Sequence, residues 1–399
     1  MRILLITDNH TLTGGAEHYF FDLKEKLKKH AMVYSIGFGP QPAVGEDYFI
    51  FKSLTNHFTK LFWRFFVHPI LYLRLRRLIK TFKPDVIHLH NIKQYPLTLL
   101  QAIKSYPTVQ TTHDYSLICP TAQNLHKDGQ VCPTGLRFTC FWQHHVKHPL
   151  LAYFLLTCCF FRIRHKTRKA INHYLAPSPL LADYLIKNQL APVTYLPPFK
   201  KELISSPNFS AIKPQQFLFV GQLAAHKGID LLLEEFAIAC RQNPALKLVM
   251  AGSGAEEPRY RKKIAALGLH AQVQLVGWQQ QSALERLYQE AIGVIFPSTG
   301  MESFGMVITE SMGQARPVLG IQRGTSAWLV EDEETGLLFD PFQQGHLAEK
   351  ILRLAGNLEL AEKLGMGGFK KWQQWADNEA VLQQLLGVYE STLNIHHFQ

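Results

Sequence analysis

No apolar run in this sequence approaches the roughly 20 residues that cross a bilayer as a helix. The stretch Leu150–Phe161 is uncharged but only 12 residues long. The amino terminus passes straight into the strand-like run Arg2-Ile3-Leu4-Leu5-Ile6-Thr7, so no signal peptide is expected. Cysteine is sparse, six in all, and lacks the C-x-x-C pairing of a structural zinc site. There is no G-x-G-x-x-G fingerprint with an acidic ribose partner about 20 residues on, which argues against a dinucleotide-dependent enzyme. Modular nucleic-acid signatures are also missing, so no nucleic-acid partner is expected despite the basic balance. Internal repeats and low-complexity tracts do not occur.

What is present is long enough for two cores. At 399 residues the chain exceeds what one core commonly supports. Pro197, Pro198, Pro207 and Pro214 interrupt a polar stretch, which places a linker at 201–215 between a first domain over 1–200 and a second over 216–377, with a closing helix over 378–399. Acidic residues are scarce in the first half. Residues 1–200 hold 25 Lys and Arg against 10 Asp and Glu, a net +15, while 201–399 hold 17 against 21, a net −4. Both halves read as α/β units, with short apolar runs of the kind buried in a parallel sheet alternating with helical patterns.

The second half carries most of the chemistry. The strand Gln216–Val220 leads to Gly221-Gln222 and then to His226-Lys227-Gly228, where a lysine at the start of a helix is placed to meet a phosphate. The strand Leu246–Ala251 ends in Gly252-Ser253-Gly254, and Val273–Gly277 is a third. A fourth, Gly293–Phe296, opens onto Met301-Glu302-Ser303-Phe304-Gly305-Met306, and Glu310 follows about one turn inside the next helix. Backbone amides of Phe304, Gly305 and Met306 open that helix and suit an anion or a hydroxyl. Glu302 and Glu310, eight residues apart, are expected to face one crevice.

This order of pieces, closed by Thr335-Gly336-Leu337-Leu338-Phe339, resembles the nucleotide-sugar domain of the retaining glycosyltransferases of family 4, also called group 1. The resemblance implies a GT-B fold, two Rossmann-like domains facing across a cleft, and transfer of a sugar from a nucleoside diphosphate to an acceptor hydroxyl. No cofactor and no metal are expected. The resemblance assigns the leaving diphosphate to Lys227 and the donor sugar to Glu302 and His113. Ribose hydroxyls go to Glu310, and further donor contacts to Gly14, Gly15, Gln222, Gly252, Gly254, Ser303, Phe304, Gly305 and Met306. One departure stands out: the family often carries arginine where this chain has Gln222, leaving Lys227 as the cation of that motif.

In the first half, Thr13-Gly14-Gly15 leads into a helix with Tyr19, Phe20, Leu23 and Leu27 on one face, and two glycines allow close backbone approach to a ligand. Asp85–Asn91 resembles the family's P-D-x-x-H-x-H segment. Its His88 and His90, alternating on a strand, read as packing or capping residues. Thr108–Thr112 runs into His113-Asp114, and a histidine at the carboxyl end of a parallel strand is where α/β ligand sites lie. The long segment from Tyr115 to Trp142 is expected over the acceptor cleft. Cys119, Cys132 and Cys140, with His144 and His145, are too loosely spaced for a strong zinc reading, and reduced thiols are expected.

Two stretches bear on membranes. Phe58–Lys83 interleaves aromatic and apolar residues with Lys60, Arg64, Arg74, Arg76, Arg77 and Lys80, which reads either as an interfacial helix on anionic lipid or as a core-facing helix with solvated charges. Leu150–Phe161 is followed by Arg162, Arg164, Lys166, Arg168 and Lys169. The expected enzyme is cytoplasmic and peripheral on the inner face of the cell membrane. It would use a nucleoside-diphosphate sugar and a saccharide or lipid-linked acceptor in polysaccharide or lipopolysaccharide synthesis. The alternatives are a non-catalytic subunit of the same fold, favoured only by Gln222, and a phosphate-using sugar phosphorylase.

Overall fold

The computed structural model describes the chain except for residues 12–13, 54–58, 60–61, 64, 120–121, 123, 127–129, 133–134, 136, 138–139, 141–149, 201–206, 376 and 398–399, and the side chains of 150–157 and 395–397. Thr13, Lys60, Arg64, His144, His145 and the first six residues of the expected linker therefore lie outside the described residues. The chain divides into two compact units, Met1–Lys200 with Ala376–Gln399, and Lys201–Trp375.

The first unit is built on β1 (Arg2–Ile6), β2 (Met32–Gly39), β3 (Ala43–Val44), β4 (Tyr48–Lys52), β5 (Val86–Leu89), β6 (Thr108–Thr111), β7 (His173–Ala176) and β8 (Val193–Tyr195). They form one sheet in the order β3-β4-β2-β1-β5-β6-β7-β8, parallel except for the short β3–β4 pair. Ile3, Leu4, Leu5 and Ile6 are buried without alternation, as a strand covered on both faces requires. The helix Gly15–Leu27 puts Phe20, Leu23 and Leu27 against this sheet. The helix Asn378–His397 adds Val381, Leu382, Leu385, Val388 and Tyr389 to the same core, the i, i+4, i+7 spacing of one helical face. Asn378 fastens the return of the chain, its side chain accepting from Lys200 N at 2.6 Å and donating to Lys200 O at 2.9 Å.

The second unit holds β9 (Lys213–Val220), β10 (Lys247–Ala251), β11 (Val273–Gly277), β12 (Ala291–Phe296), β13 (Val318–Ile321) and β14 (Gly336–Phe339). All are parallel, in the order β11-β10-β9-β12-β13-β14. Strand β9 starts at Lys213, three residues inside the stretch read as linker, because Lys213 already pairs with Ala291 of β12. Its first residues are exposed and polar, which hides them from an apolar-run criterion.

Arg316, fully buried, stabilises this unit without a carboxylate in hydrogen-bond reach among its described partners. Its guanidinium donates to the carbonyls of Gln314 (2.9 Å), Ala315 (3.2 Å), Asn208 (2.6 Å) and Gln289 (2.6 Å). Burial pushes its pKa down to about 10, since a low-dielectric site disfavours the cation.

In both sheets the strand order reverses beside the first strand of the unit, at β1/β5 and at β9/β12. Connections leave on opposite faces there, so a crevice opens beyond the strands' carboxyl ends.

Candidate active site

At the β9/β12 reversal, two loops from opposite sides of the switch point are bonded together. The loop after β9 forms a short turn, Ala225–Lys227, and the loop after β12 runs Pro297-Ser298-Thr299-Gly300. The carbonyl of His226 accepts from Thr299 N (3.1 Å), Gly300 N (3.0 Å) and the Ser298 hydroxyl (3.3 Å). Gly228 makes this approach feasible: at φ +70° it sits in the left-handed region, and a Cβ there would stand 1.8 Å from Pro297 O. Gly252 has a similar steric reason, with φ +146° and a phantom Cβ 1.8 Å from Gly221 O, so the two loops after β9 and β10 touch backbone to backbone.

This packing delivers Lys227 Nζ to 2.6 Å from Glu302 Oε1, and Ser298 Oγ to 2.5 Å from the same oxygen. Thr325 Oγ1 donates to the Glu302 carbonyl at 2.7 Å. Burial pushes the Glu302 carboxyl up, but the Lys227 ammonium and the two hydrogen bonds outweigh it and hold the group below the usual carboxylate range. A small recess of about 10 Å³ adjoins it, lined also by Arg323, Thr299 and Ser326.

The helix Met306–Gly313 begins as expected, with Gly305 in the left-handed conformation as its cap. Glu310 sits one turn inside and accepts from Tyr288 OH at 3.0 Å. The Phe304 side chain is committed elsewhere: it is buried against Trp328 (5.9 Å) and Trp375 (5.7 Å), so the backbone is what this residue has left for a ligand. Ser303 and Met306 are half-buried in the same turn, Gln222 is exposed on the loop after β9, and Gly254 packs against Leu223 O.

In the first unit, the carboxyl ends of β5 and β6 carry three imidazoles. His88 is sealed, its Nδ1 2.6 Å from Tyr389 OH and its Nε2 2.7 Å from Thr111 Oγ1. Its ring stacks on His90 at 4.4 Å, and His90 Nδ1 is 2.9 Å from His113 Nε2. Burial pushes His88 to about 3, with the His113 ring adding to the fall. Burial also brings His113 down to about 4; Asp114 opposes this and Lys93 reinforces it. His90 lies well below its ordinary value for the same reason, so all three are neutral at pH 7.

Lys93 pairs with Asp114, and His113 lines a cavity of about 50 Å³ with Gln110, Asp114 and Arg164, room for a few waters or a ligand hydroxyl. Gly14 caps the helix Gly15–Leu27 and Gly15 faces open space. The first turn of that helix also holds a buried carboxylate, Glu17, with Asn9 Nδ2 3.4 Å away.

The structure thus brings Lys227 and Glu302 together and sets His113 against His90 and Tyr19. Ser298, Arg323, Thr325, Tyr288 and Tyr389 were not found from the sequence. Ser298 follows a buried strand directly, which was a usable signal. The two tyrosines sit at helical spacing and look like any core residue. Cys119, Cys132 and Cys140 are buried, and among the described residues no group of three His, Cys, Asp or Glu could hold a metal ion.

Two family models match the chain, "Glycosyltransferase Family 4" over residues 13–199 and "Glycosyl transferases group 1" over residues 200–371. Alpha-D-kanosaminyltransferase of Streptomyces kanamyceticus is 30% identical over 172 residues, 43% of this chain and 44% of that protein, so the match spans less than half of that relative's length. Sucrose-phosphate synthase from Thermosynechococcus elongatus superposes with a TM-score of 0.76 at 20% identity, covering 99% of each chain. HepE of Anabaena in complex with UDP-glucose gives 0.68 at 17% identity, covering 98% of this chain and 100% of that one. These likenesses establish the fold as GT-B.

Proposed function

The chain belongs to the group 1, family 4 glycosyltransferases, and on that premise we propose that it moves a sugar from a nucleoside-diphosphate sugar to a hydroxyl of a saccharide or lipid-linked acceptor with retained anomeric configuration. The observation that carries the reading is the Lys227–Glu302–Ser298 cluster at the β9/β12 switch point. In that scheme the bond from the anomeric carbon to the diphosphate oxygen breaks, and the acceptor oxygen bonds to the same face. The acceptor's proton passes to the leaving phosphate. Catalysis is then electrostatic and positional: Lys227 stabilises the leaving group, Glu302 accepts sugar hydroxyls, Glu310 takes the ribose, and His113 meets a substrate oxygen. No residue need act as a covalent nucleophile, and no cofactor or metal is invoked. HepE's complex with UDP-glucose supports a nucleotide-sugar donor.

Thermal stabilisation by a panel of nucleotide sugars identifies the donor, because a ligand of the folded state raises the midpoint by mass action. Carbon and proton NMR of the product then reads the anomer. An inverted product, or no stabilisation by any nucleotide sugar, contradicts the proposal.

A membrane-linked acceptor is favoured by the surface of the first unit. The helix Pro69–Phe82 buries Leu71, Leu75 and Ile79 but exposes Ile70 (59%) and Leu73 (66%), and Phe62 and Phe66 just before it are each 49% exposed. Arg74, Arg77 and Lys80 are exposed along the same helix, and no acidic residue falls between Asp47 and Asp85. Arg76 is committed inward, donating to Ala102 O at 3.2 Å. Among the described residues no helix is long and apolar enough to cross a membrane; this one has the make-up of an interfacial helix at the inner leaflet, which supports a cytoplasmic, peripheral enzyme of cell-surface polysaccharide or lipopolysaccharide synthesis. Replacing Arg74, Arg77 and Lys80 with Gln should cost about 1 kcal/mol each in binding to anionic vesicles, roughly 100-fold in total. Undiminished sedimentation of the triple variant with such vesicles removes the membrane reading.

A further inference from the structure

His90 and His113 share one hydrogen bond, and the ring that supplies its proton decides what His113 can offer a ligand. A neutral imidazole carries one N–H and one lone pair, so the 2.9 Å contact between His90 Nδ1 and His113 Nε2 has two directions. The other nitrogen of His90 chooses between them. His90 is 2% exposed, and its Nε2 is buried with no hydrogen-bond partner among the described residues. Between centroids, the His90 ring lies 4.4 Å from that of His88, 5.0 Å from Phe20, 5.2 Å from His113 and 6.0 Å from Tyr19.

A proton on that Nε2 would be an orphaned buried N–H, a state native structures rarely keep. Placing the proton on Nδ1 instead leaves only an unused lone pair and lets His90 donate to His113 Nε2. The proton of His113 must then sit on Nδ1, the ring edge not used by His90. Neither ring can readily turn to escape this, because His88, stacked on His90, is bonded at both nitrogens, to Tyr389 and Thr111, and Tyr19 packs edge-on at 5.4 Å against the His113 ring.

We propose that His90 is a positioning residue that locks His113 in its Nδ1–H tautomer, making His113 a hydrogen-bond donor to a substrate oxygen and not a base. The tautomer stands on the geometry alone; its use toward substrate rests on the function proposed above. The consequence for chemistry is definite. A donor edge stabilises negative charge on an oxygen it faces, and it cannot remove the acceptor's proton, which leaves that proton to the departing phosphate.

The test is long-range proton–nitrogen correlation on the full chain labelled with 15N-histidine at pH 7, with His113 assigned by the loss of its signals in His113→Gln. The expected spectrum shows His113 with Nδ1 protonated and Nε2 unprotonated. His90→Phe keeps an aromatic ring in the stack but cannot donate, and should move a large share of the proton to Nε2. His90→Gln, whose amide can donate again, should restore the original pattern. Turnover of the donor should fall about tenfold in His90→Phe, the loss of one hydrogen bond of ordinary strength, and recover in His90→Gln. A wild-type spectrum with the proton on His113 Nε2 overturns the proposal, whatever the variants do. A swapped tautomer in His90→Phe with unchanged turnover overturns the donor role. The expected tautomers in a protein that transfers sugar from no nucleotide sugar uphold the lock and reject the functional reading instead.

Discussion

At the strand ends of the first unit three imidazoles stack in neutral form, joined ring to ring and to Tyr389 and Thr111. At the strand ends of the second, an ammonium and a carboxylate stand 2.6 Å apart with a serine hydroxyl on the same oxygen. Both sites lie where the order of a parallel sheet reverses, and both are largely removed from water. Burial disfavours charge, and the two units answer differently: one gives up its charges and bonds the neutral groups, the other keeps two opposite charges and pairs them. A neutral donor contacts ligand oxygens without drawing in counterions, whereas a paired cation is released only to a ligand that brings negative charge of its own. The formal charge follows the same division, net +12 over 1–200 with 376–399 and −1 over 201–375.

The sharpest way to break this contrast is Lys227→Ala. It leaves the half-buried Glu302 beside Ser298 without its cation, and turnover should fall by about 10² to 10³, as for other lost contacts to a developing anion. Steady-state kinetics on variant protein with wild-type circular dichroism reads this directly, and near-normal turnover would detach Lys227 from the leaving group. Glu310→Gln comes next. A carboxylate accepting from ribose hydroxyls loses charge-assisted bonds worth roughly 1.5–3 kcal/mol, so donor affinity should drop about ten- to hundredfold in calorimetry, and an unchanged dissociation constant would separate Glu310 from the donor.

Acid should distinguish the units without mutation. His88 and His113 have folded values of about 3 and 4 against 6.5 for the free side chain. The unfolded chain therefore binds more protons in that window, and the stability these groups contribute is complete above pH 6.5 and lost as pH falls below it. At pH 5 the loss is about 2 kcal/mol for each. Glu302, depressed below 4.5, contributes stability that persists above pH 4.5 and goes only as pH falls further. Between pH 7 and pH 5, hydrogen exchange corrected for intrinsic rates should accelerate in Val86–Leu89 and Thr108–Thr111 more than in Lys213–Val220. Equal acceleration in the two sheets would refute the difference in mechanism. The smallest expected effect is Tyr389→Phe, which leaves one nitrogen of His88 unsatisfied and should lower stability in urea by about 1 kcal/mol; a neutral result would mean that the hydroxyl does not support the stack.

Much of the architecture was legible in the chain. Unalternated apolar runs such as Ile3–Ile6 and Val294–Phe296 belong to strands covered on both faces. Their placement just before Gly221, His113 and Glu302 sets those residues at strand carboxyl ends, where ligand sites of such sheets lie. The start of the helix at Met306 and the position of Glu310 within it followed from local pattern. Strand β9 was read three residues short, because its first residues are polar and its pairing with β12 is not written locally. Phe304 was placed in the site by its neighbours, yet its ring belongs to an aromatic cluster completed by Trp375, 71 positions further on in the sequence.

Sequence by itself determined which segments are strands and helices and which polar residues stand at their ends, since these follow from side-chain period and from backbone preference over a few residues. It did not determine which ends meet. Lys227 and Glu302 are 75 residues apart and Tyr389 and His88 are 301 apart. Each pair forms only after the sheet has chosen its strand order and, for Tyr389, after the last helix has packed onto the first unit. The glycine at 228 that lets Pro297 approach has an ordinary turn's sequence, and His90, one residue past the end of β5, reads in the chain much as His88 on that strand does. What separates their roles is the company that long-range packing gives them: the strand that lies alongside, the ring stacked beneath, and the nitrogen left without a partner. The energies of those contacts depend on distances of a few ångströms between residues that are remote in the chain, and tertiary structure alone sets them.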